Sequence, residues 1–223
     1  PQPLPIGETP FDGEKRMEQT IRWLEEKTRY PLCKVDQARY YPLGDDMYPD
    51  MLADMKNARY SIYLEYFIIE PGHMWNSMLE ILETKLRQGV DVRVMYDDLG
   101  SISSFNFSNA RKLRKKGIPC LPFNPLIALK GTANYRDHRK MLIVDNEIAY
   151  SGGINLADNY INFVHPLGHW KDTGFRLTGA AVHNFTHMFL TFWNAFAYKK
   201  GFENLPTPEL QSRSADLQEA DGY

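Results

Sequence analysis

Residues 60–96 read YSIYLEYFIIEPGHMWNSMLEILETKLRQGVDVRVMY, and this stretch decides the fold. Its first ten residues, 60–69, are apolar on both faces, as expected of a central strand covered by helices on each side. Residues 74–88 switch to helical periodicity, and Gly89 stands where a helix C-cap belongs. DVRVMY, 91–96, returns to strand character. Strand, helix and strand make a β-α-β unit, whose right-handed crossover predicts parallel pairing of its two strands.

The same alternation extends in both directions. ARYYP (38–42) reads as a short strand, and Gly44-Asp45-Asp46 offers an N-cap to a helix carrying Met47, Met51, Leu52 and Met55. Methionines at helical spacing point to core packing. Glu14 to Tyr30 has helical periodicity, with Met17, Ile21, Trp23 and Leu24 on one side. Downstream come a basic helix (105–116), an extended segment (118–123), a strand at 174–178 and an aromatic helix at 180–198. No internal repeat is present. The pattern predicts an α/β fold: a mixed, largely parallel sheet with helices on both faces.

A chain of 223 residues can bury a core without staples. Its net charge of −2 creates no basic field to call for nucleic acid. Cys33 and Cys120 are too few for a disulfide framework or a metal set and read as free thiols in a reducing compartment. No apolar run is long enough to span a bilayer, and no signal peptide is present. The proline- and glycine-rich start without methionine suggests a piece of a longer protein or a processed terminus, and the polar tail with Pro206 and Pro208 reads as a linker or a cut junction.

The chemistry concentrates in HRKMLIVDNEIAYSGGIN, residues 138–155. Alternation along a strand puts His138 and Lys140 on one side, with Leu142 and Val144, while Met141 and Ile143 face the other layer. Asp145-Asn146-Glu147 is turn chemistry, and the chain returns from Ile148 as a hairpin partner. That return brings Gly152, Gly153 and Asn155 beside His138 and Lys140. Glycines admit backbone N–H groups close to an anion, and Asn155 adds an amide donor. A neutral imidazole can attack phosphorus, and Lys140 and Asn155 can stabilise charge on the non-bridging oxygens. A second acid, best supplied by a second imidazole, must protonate the leaving oxygen. The chain contains one such pattern.

His138, Lys140, Asp145, Gly152, Gly153 and Asn155 match the HKD signature of the phospholipase D superfamily. YYPLGDD (40–46), SIYLEYFII (61–69), VRVMYDDLGS (92–101), DHRKMLIVDNEIAYSGGIN (137–155) and WKDTGFRLTG (170–179) resemble the N-terminal half of bacterial cardiolipin synthases. The resemblance covers about residues 38–198. It implies a phospholipase D-like α/β/α sandwich and metal-independent phosphatidyl transfer between two phosphatidylglycerols through a phosphohistidine, with no cofactor. His138 is then the nucleophile or its acid partner, Lys140 and Asn155 hold phosphate, and Asp145 shapes the loop. Asp172 orients the imidazole. Gly153, where many members carry serine, favours the synthase branch. Residues 1–37 become a lead-in and helix, 38–198 a catalytic half-domain, and 199–223 a linker toward a second half. The implied partners are anionic phospholipid, a membrane surface, and a second HKD half in the parent chain or a homodimer. The parent enzyme would sit at the bacterial cell membrane, with this fragment soluble on the reducing side. Two other readings remain: a single-motif homodimeric phosphodiesterase or nuclease, and an inert headgroup-binding fragment.

Several residues carry weaker signals. Glu65, in the most apolar strand, either lines the substrate site, forms a structural salt bridge or lies on an exposed strand face. Asp97 and Asp98 end a parallel strand, the usual site edge of α/β sheets. His183 and His187 are four apart on a helix but lack a zincin glutamate. His165 and His169 flank a loop just before Asp172. RKLRKK, Arg111 to Lys116, is a solvated helix face or a docking patch for anionic headgroups, with Phe105, Phe107 and Phe123 available to dip into an interface.

Overall fold

The computed structural model describes residues 13–125, 134–197 and 201–207. The start of the lead-in and the tail from 208 onward, where the linker is expected, lie outside the described residues. The chain divides into two units. Residues 13–33 belong to one and 34–207 to the other. The first holds helix α1, Gly13–Thr28, whose Arg22 pairs with Glu18 one turn earlier.

The second unit is built on one seven-stranded sheet. Its elements run β1 (Gln37–Tyr41), α2 (Gly44–Asn57), β2 (Ser61–Tyr66), α3 (His73–Arg87), β3 (Asp91–Asp97), α4 (Phe107–Lys115), β4 (Cys120–Phe123), β5 (Lys140–Val144), β6 (Ile148–Gly152), a 3-10 turn Asp158–Ile161, β7 (Gly174–Thr178) and α5 (Ala181–Ala197). The spatial order is β1-β7-β6-β5-β2-β3-β4. The β-α-β unit read from 60–96 is present, with β2 and β3 parallel in register from Ser61↔Asp91 to Tyr66↔Tyr96. Gly89 follows α3 at φ +86°, a left-handed position that glycine adopts without strain.

The sheet is mixed, as the sequence predicts, but its balance differs. β2–β3 and β3–β4 are parallel, while β1–β7, β7–β6, β6–β5 and β5–β2 are antiparallel. The reason lies in the connections. β5 enters beside β2 in the opposite sense, a short turn folds β6 back on β5, and the long segment 153–173 returns β7 antiparallel to β6. A second difference concerns α2. Leu43 occupies the N-cap position without a side-chain hydrogen bond, and Asp45 and Asp46 fall in the first turn, where their charge meets the positive end of the helix.

Two cores cover the two faces. Ile62, Leu64, Tyr66, Val92, Val94, Leu142 and Val144 pack beneath α2, α3 and α4, where Met47, Met51 and Met55 are buried. Tyr63, Met95, Leu121, Ile143 and Ala149 pack beneath α5 against Val182, Phe189 and Trp193. Burial on each side removes alternate residues of every central strand from water, so strand parity decides which layer a side chain enters.

Candidate active site

His138, Lys140, Gly152, Gly153 and Asp172 gather at one edge of the sheet. Lys140 opens β5 opposite Tyr66, the last residue of β2, so it sits where parallel strands β2 and β3 end. Gly152, at the end of β6, pairs with Gly174 at the start of β7, which brings the segment after β6 and the segment before β7 to this same edge. Carboxyl ends of parallel strands commonly carry α/β sites, because loops leave there unconstrained by the sheet.

Two side chains of opposite character flank one ring. His138 is exposed, and its imidazole meets Phe67 edge-on with centroids 4.7 Å apart. Lys140 is 3 % exposed, with its ammonium 5.2 Å from the centroid of the same ring. Lys140 Nζ also donates to the His138 carbonyl at 2.7 Å. Burial lowers the lysine pKa to about 8, and the negative charges of Asp172 and Asp137 pull the other way. The ammonium is therefore charged at neutral pH but poorly solvated. An anion would be an energetically favourable partner for it.

Phe67 is itself held. Ser101 Oγ donates to its carbonyl at 3.0 Å, and Gly100 lies so close that a Cβ there would be 2.4 Å from that oxygen. Sequence reasoning reads Phe67 as part of an apolar strand. Nothing in its spacing separates it from the core, because its role comes from contacts with residues 71 and 73 positions away.

Asn155, two residues after Gly153, is nearly buried. Its Oδ1 accepts the Ile68 N–H at 2.9 Å, and its Nδ2 donates to the Tyr160 hydroxyl at 2.9 Å. The backbone N–H can only be satisfied by the amide oxygen, which fixes the orientation of the amide. Tyr160, also missed in the sequence, packs against Trp170. The two glycines serve separate purposes. Gly152 has φ +145°, and a Cβ there would be 2.4 Å from the Thr173 carbonyl. A Cβ on Gly153 would lie 1.9 Å from Asp172 Oδ1, while its N–H bonds the Thr173 carbonyl at 2.9 Å. The missing side chains thus make room for β7 and for the Asp172 carboxylate, which also accepts the Thr173 N–H at 2.8 Å.

Glu65 does not join this cluster. It pairs with Met141, so it points to the α5 layer while Lys140 and Tyr66 point to the other. There it is fully buried, 2.8 Å from Arg139, whose guanidinium also lies over Phe192 and bonds Asp137 Oδ1 at 2.9 Å. Burial raises the Glu65 pKa well above the usual carboxylate range; a hydrogen bond with Asp137 and its charge add to this, against Arg139. Of the three expected alternatives, burial excludes an exposed strand face, and the carboxyl meets Arg139 on the face away from Lys140. Asp97 extends the network. It accepts the Asp137 N–H at 2.9 Å, the Leu99 and Gly100 N–H groups at 3.0 and 2.9 Å, and Arg136 at 3.3 Å. This ties the segment carrying His138 to the end of β3.

Asp145 also lies apart, at the far end of β5. Its φ is +55°, and its carboxylate accepts N–H groups of Arg59, Tyr60 and Ser61 at 2.7–2.8 Å. It closes the entry to β2, at the edge opposite Lys140.

The weaker signals separate as well. Among the described residues, no group of three or more His, Cys, Asp or Glu side chains is placed to hold a metal ion. His183 is exposed on α5, and His187 Nδ1 lies 3.4 Å from Thr191 Oγ1. Cys33 and Cys120 are free thiols. Phe105 is buried edge-on between Trp75 and Tyr96, which keeps it from an interface, and the half-buried Phe123 packs on Phe192 and Phe196. Only Phe107 of the three is exposed, beneath Arg114. No helix among the described residues is long and apolar enough to cross a membrane.

The family described as cardiolipin synthase, PLD-like domain, matches residues 51–172. The cardiolipin synthase of Geobacillus kaustophilus is 30% identical over 226 aligned residues, covering 100% of this chain and 43% of that protein. Cardiolipin synthase 1 of Staphylococcus aureus (strain MRSA252) is 36% identical over 162 residues, covering 72% of this chain and 32% of its own. The chain therefore spans less than half the length of these relatives. In structure it resembles the phosphatidylserine synthase of Haemophilus influenzae, with a TM-score of 0.59 and 15% identity over 92% of this chain and 46% of that one. That likeness shows a shared fold.

Proposed function

The chain belongs to the PLD-like domain family of cardiolipin synthases, and from that premise we propose that it is the N-terminal catalytic half of a phosphatidyltransferase making cardiolipin from two phosphatidylglycerols. In this reading residues 38–198 form the half-domain and 199–223 lead toward a second half carrying a second HKD histidine. The longer protein works at a bacterial membrane.

The observation that carries this reading is the pairing of an exposed imidazole with a buried ammonium on one aromatic ring, at the edge where Gly153, Asn155 and Asp172 meet. A phosphate diester seated there gains an ion pair with Lys140 and amide contacts from Asn155. Neutral imidazole attacks phosphorus, and the bond from phosphorus to the headgroup glycerol oxygen breaks. The opposing acid gives glycerol its proton. The glycerol hydroxyl of a second phosphatidylglycerol then attacks the phosphohistidine, loses its proton to the opposing base, and leaves as cardiolipin. His138 takes the part of nucleophile or of acid and base. Asp172 helps keep Lys140 charged, and we assign it the further task of orienting an imidazole.

The test is cardiolipin formation by the two-half protein from phosphatidylglycerol. His138→Ala is expected to lower turnover by at least about 10³-fold, and an acid-labile, base-stable phosphoryl adduct on histidine should be trappable. Near-normal output from His138→Ala would defeat the assignment. Activity confined to a homodimer of this chain would replace it with the single-motif phosphodiesterase.

A further inference from the structure

Between the 3-10 turn and β7, residues 163–171 read FVHPLGHWK and form a protrusion from the site. Its apolar side chains are strongly exposed: Leu167 is 83% accessible, Phe163 58% and Val164 44%. Elsewhere in this unit, exposed large apolar side chains such as Tyr60, Ile102 and Tyr135 are scattered singly along the chain, as is normal for a soluble surface. Three within five residues are a patch.

The protrusion is built. Asn162, at φ +52°, donates from Nδ2 to Asp45 and to the Trp170 carbonyl and accepts the Trp170 N–H, at 2.7–3.0 Å, so one side chain ties both ends together. Gly168, at φ +87°, turns the tip and donates to the His165 carbonyl. Phe163 stacks on His73 with rings 4.2 Å apart. His165, His169 and Lys171 are all exposed along the same loop, and Trp170 packs on Tyr160. No acid occurs in 163–171. Nearby acids bond to the loop's frame: Asp45 to Asn162, and Asp158 to the N–H groups of His73 and Met74 that open α3. A run of exposed apolar side chains interleaved with imidazoles and followed by an indole and an ammonium suits an anionic lipid surface, which offers acyl chains to the first and headgroups to the others.

Position gives the match a purpose. Trp170 packs on Tyr160, and Tyr160 holds Asn155 of the candidate phosphate site. A loop inserted in a bilayer would therefore rest that site at headgroup depth. We propose that residues 163–169 are a membrane-docking loop that seats the site on anionic lipid. This rests on the phospholipid reading above, and it replaces α4 with this loop as the main lipid contact.

The test is flotation of the 223-residue chain with vesicles of phosphatidylglycerol and phosphatidylcholine. The double variant Val164→Asp/Leu167→Asp is expected to lower partitioning at least tenfold with an unchanged circular dichroism spectrum. Leu167→Trp should raise it several-fold, and Phe107→Asp on α4 should leave it within twofold. Wild-type flotation by the double variant, or no gain from Leu167→Trp, overturns the proposal. So does a wild-type chain that ignores vesicles but dimerises in a manner the double variant abolishes, since the loop then covers protein. Turnover of monomeric dihexanoyl-phosphatidylglycerol by the two-half protein tests the chemistry separately. Its absence would sink the phosphatidyl-transfer reading, while flotation would still decide the docking.

Discussion

The two ends of β5 hold the two ends of one sequence motif, and they are physically unlike. At the first end Lys140 is buried with its charge poorly compensated, beside an exposed histidine. At the other, Asp145 accepts three backbone N–H groups and leaves its own lobes filled. One end is arranged to receive a charge, and the other has already spent its own on the fold. A motif contiguous in sequence is thus two devices at opposite edges of a sheet.

The largest effect should come from the unsatisfied end. Lys140→Met is expected to lower turnover about 10²–10³-fold, as loss of a transition-state charge partner does. It should leave the melting temperature unchanged or higher. The sign follows from linkage. The folded pKa, about 8, lies below the ordinary 10.5, so the unfolded chain binds more protons between them and stability rises with pH across that window. For the same reason kcat/KM should fall above about pH 8. In Lys140→Arg that alkaline limb should vanish; its persistence would assign the limb to another group.

Asp145→Ala should do the reverse. Loss of three charge-assisted bonds, two of them to exposed backbone that water can reclaim, is expected to cost about 2 kcal/mol of stability. Turnover per folded molecule should be kept. Asp145→Asn should recover part of the loss, because asparagine tolerates the left-handed backbone. Urea unfolding combined with active-site titration would separate the two effects, and a catalytic defect in folded Asp145→Ala would break the contrast.

The smallest effect extends the contrast from the ends of β5 to its faces. Glu65→Gln replaces a carboxyl whose burial already disfavours its charge, and it should change stability by less than about 1 kcal/mol. Turnover should stay near wild type. A large catalytic loss would bring the α5 face into the site.

Much of this was legible because it is local. Period and composition delivered β2, α3 and β3, and alternation placed Leu142 and Ile143 in different layers. The grouping of Gly152, Gly153 and Asn155 near Lys140 followed from the hairpin. What escaped depends on register and distant partners. The face of Glu65 is fixed by its pairing with Met141, 76 positions away, which no local pattern encodes. The partners of Asp145 lie 84–86 residues back, and Phe67 looks like any core aromatic until it is seen against His138 and Lys140. The parallel bias was overestimated because one β-α-β unit was generalised to a sheet whose other half is made of antiparallel turns.

The contact between Gly153 and Asp172 has an evolutionary consequence. Any side chain at 153 must occupy volume now filled by the carboxylate, since even a Cβ would stand 1.9 Å from Oδ1. A lineage exchanging this glycine for serine must swing that carboxylate aside, so the effect of a change at 153 is expected to depend on the residue at 172.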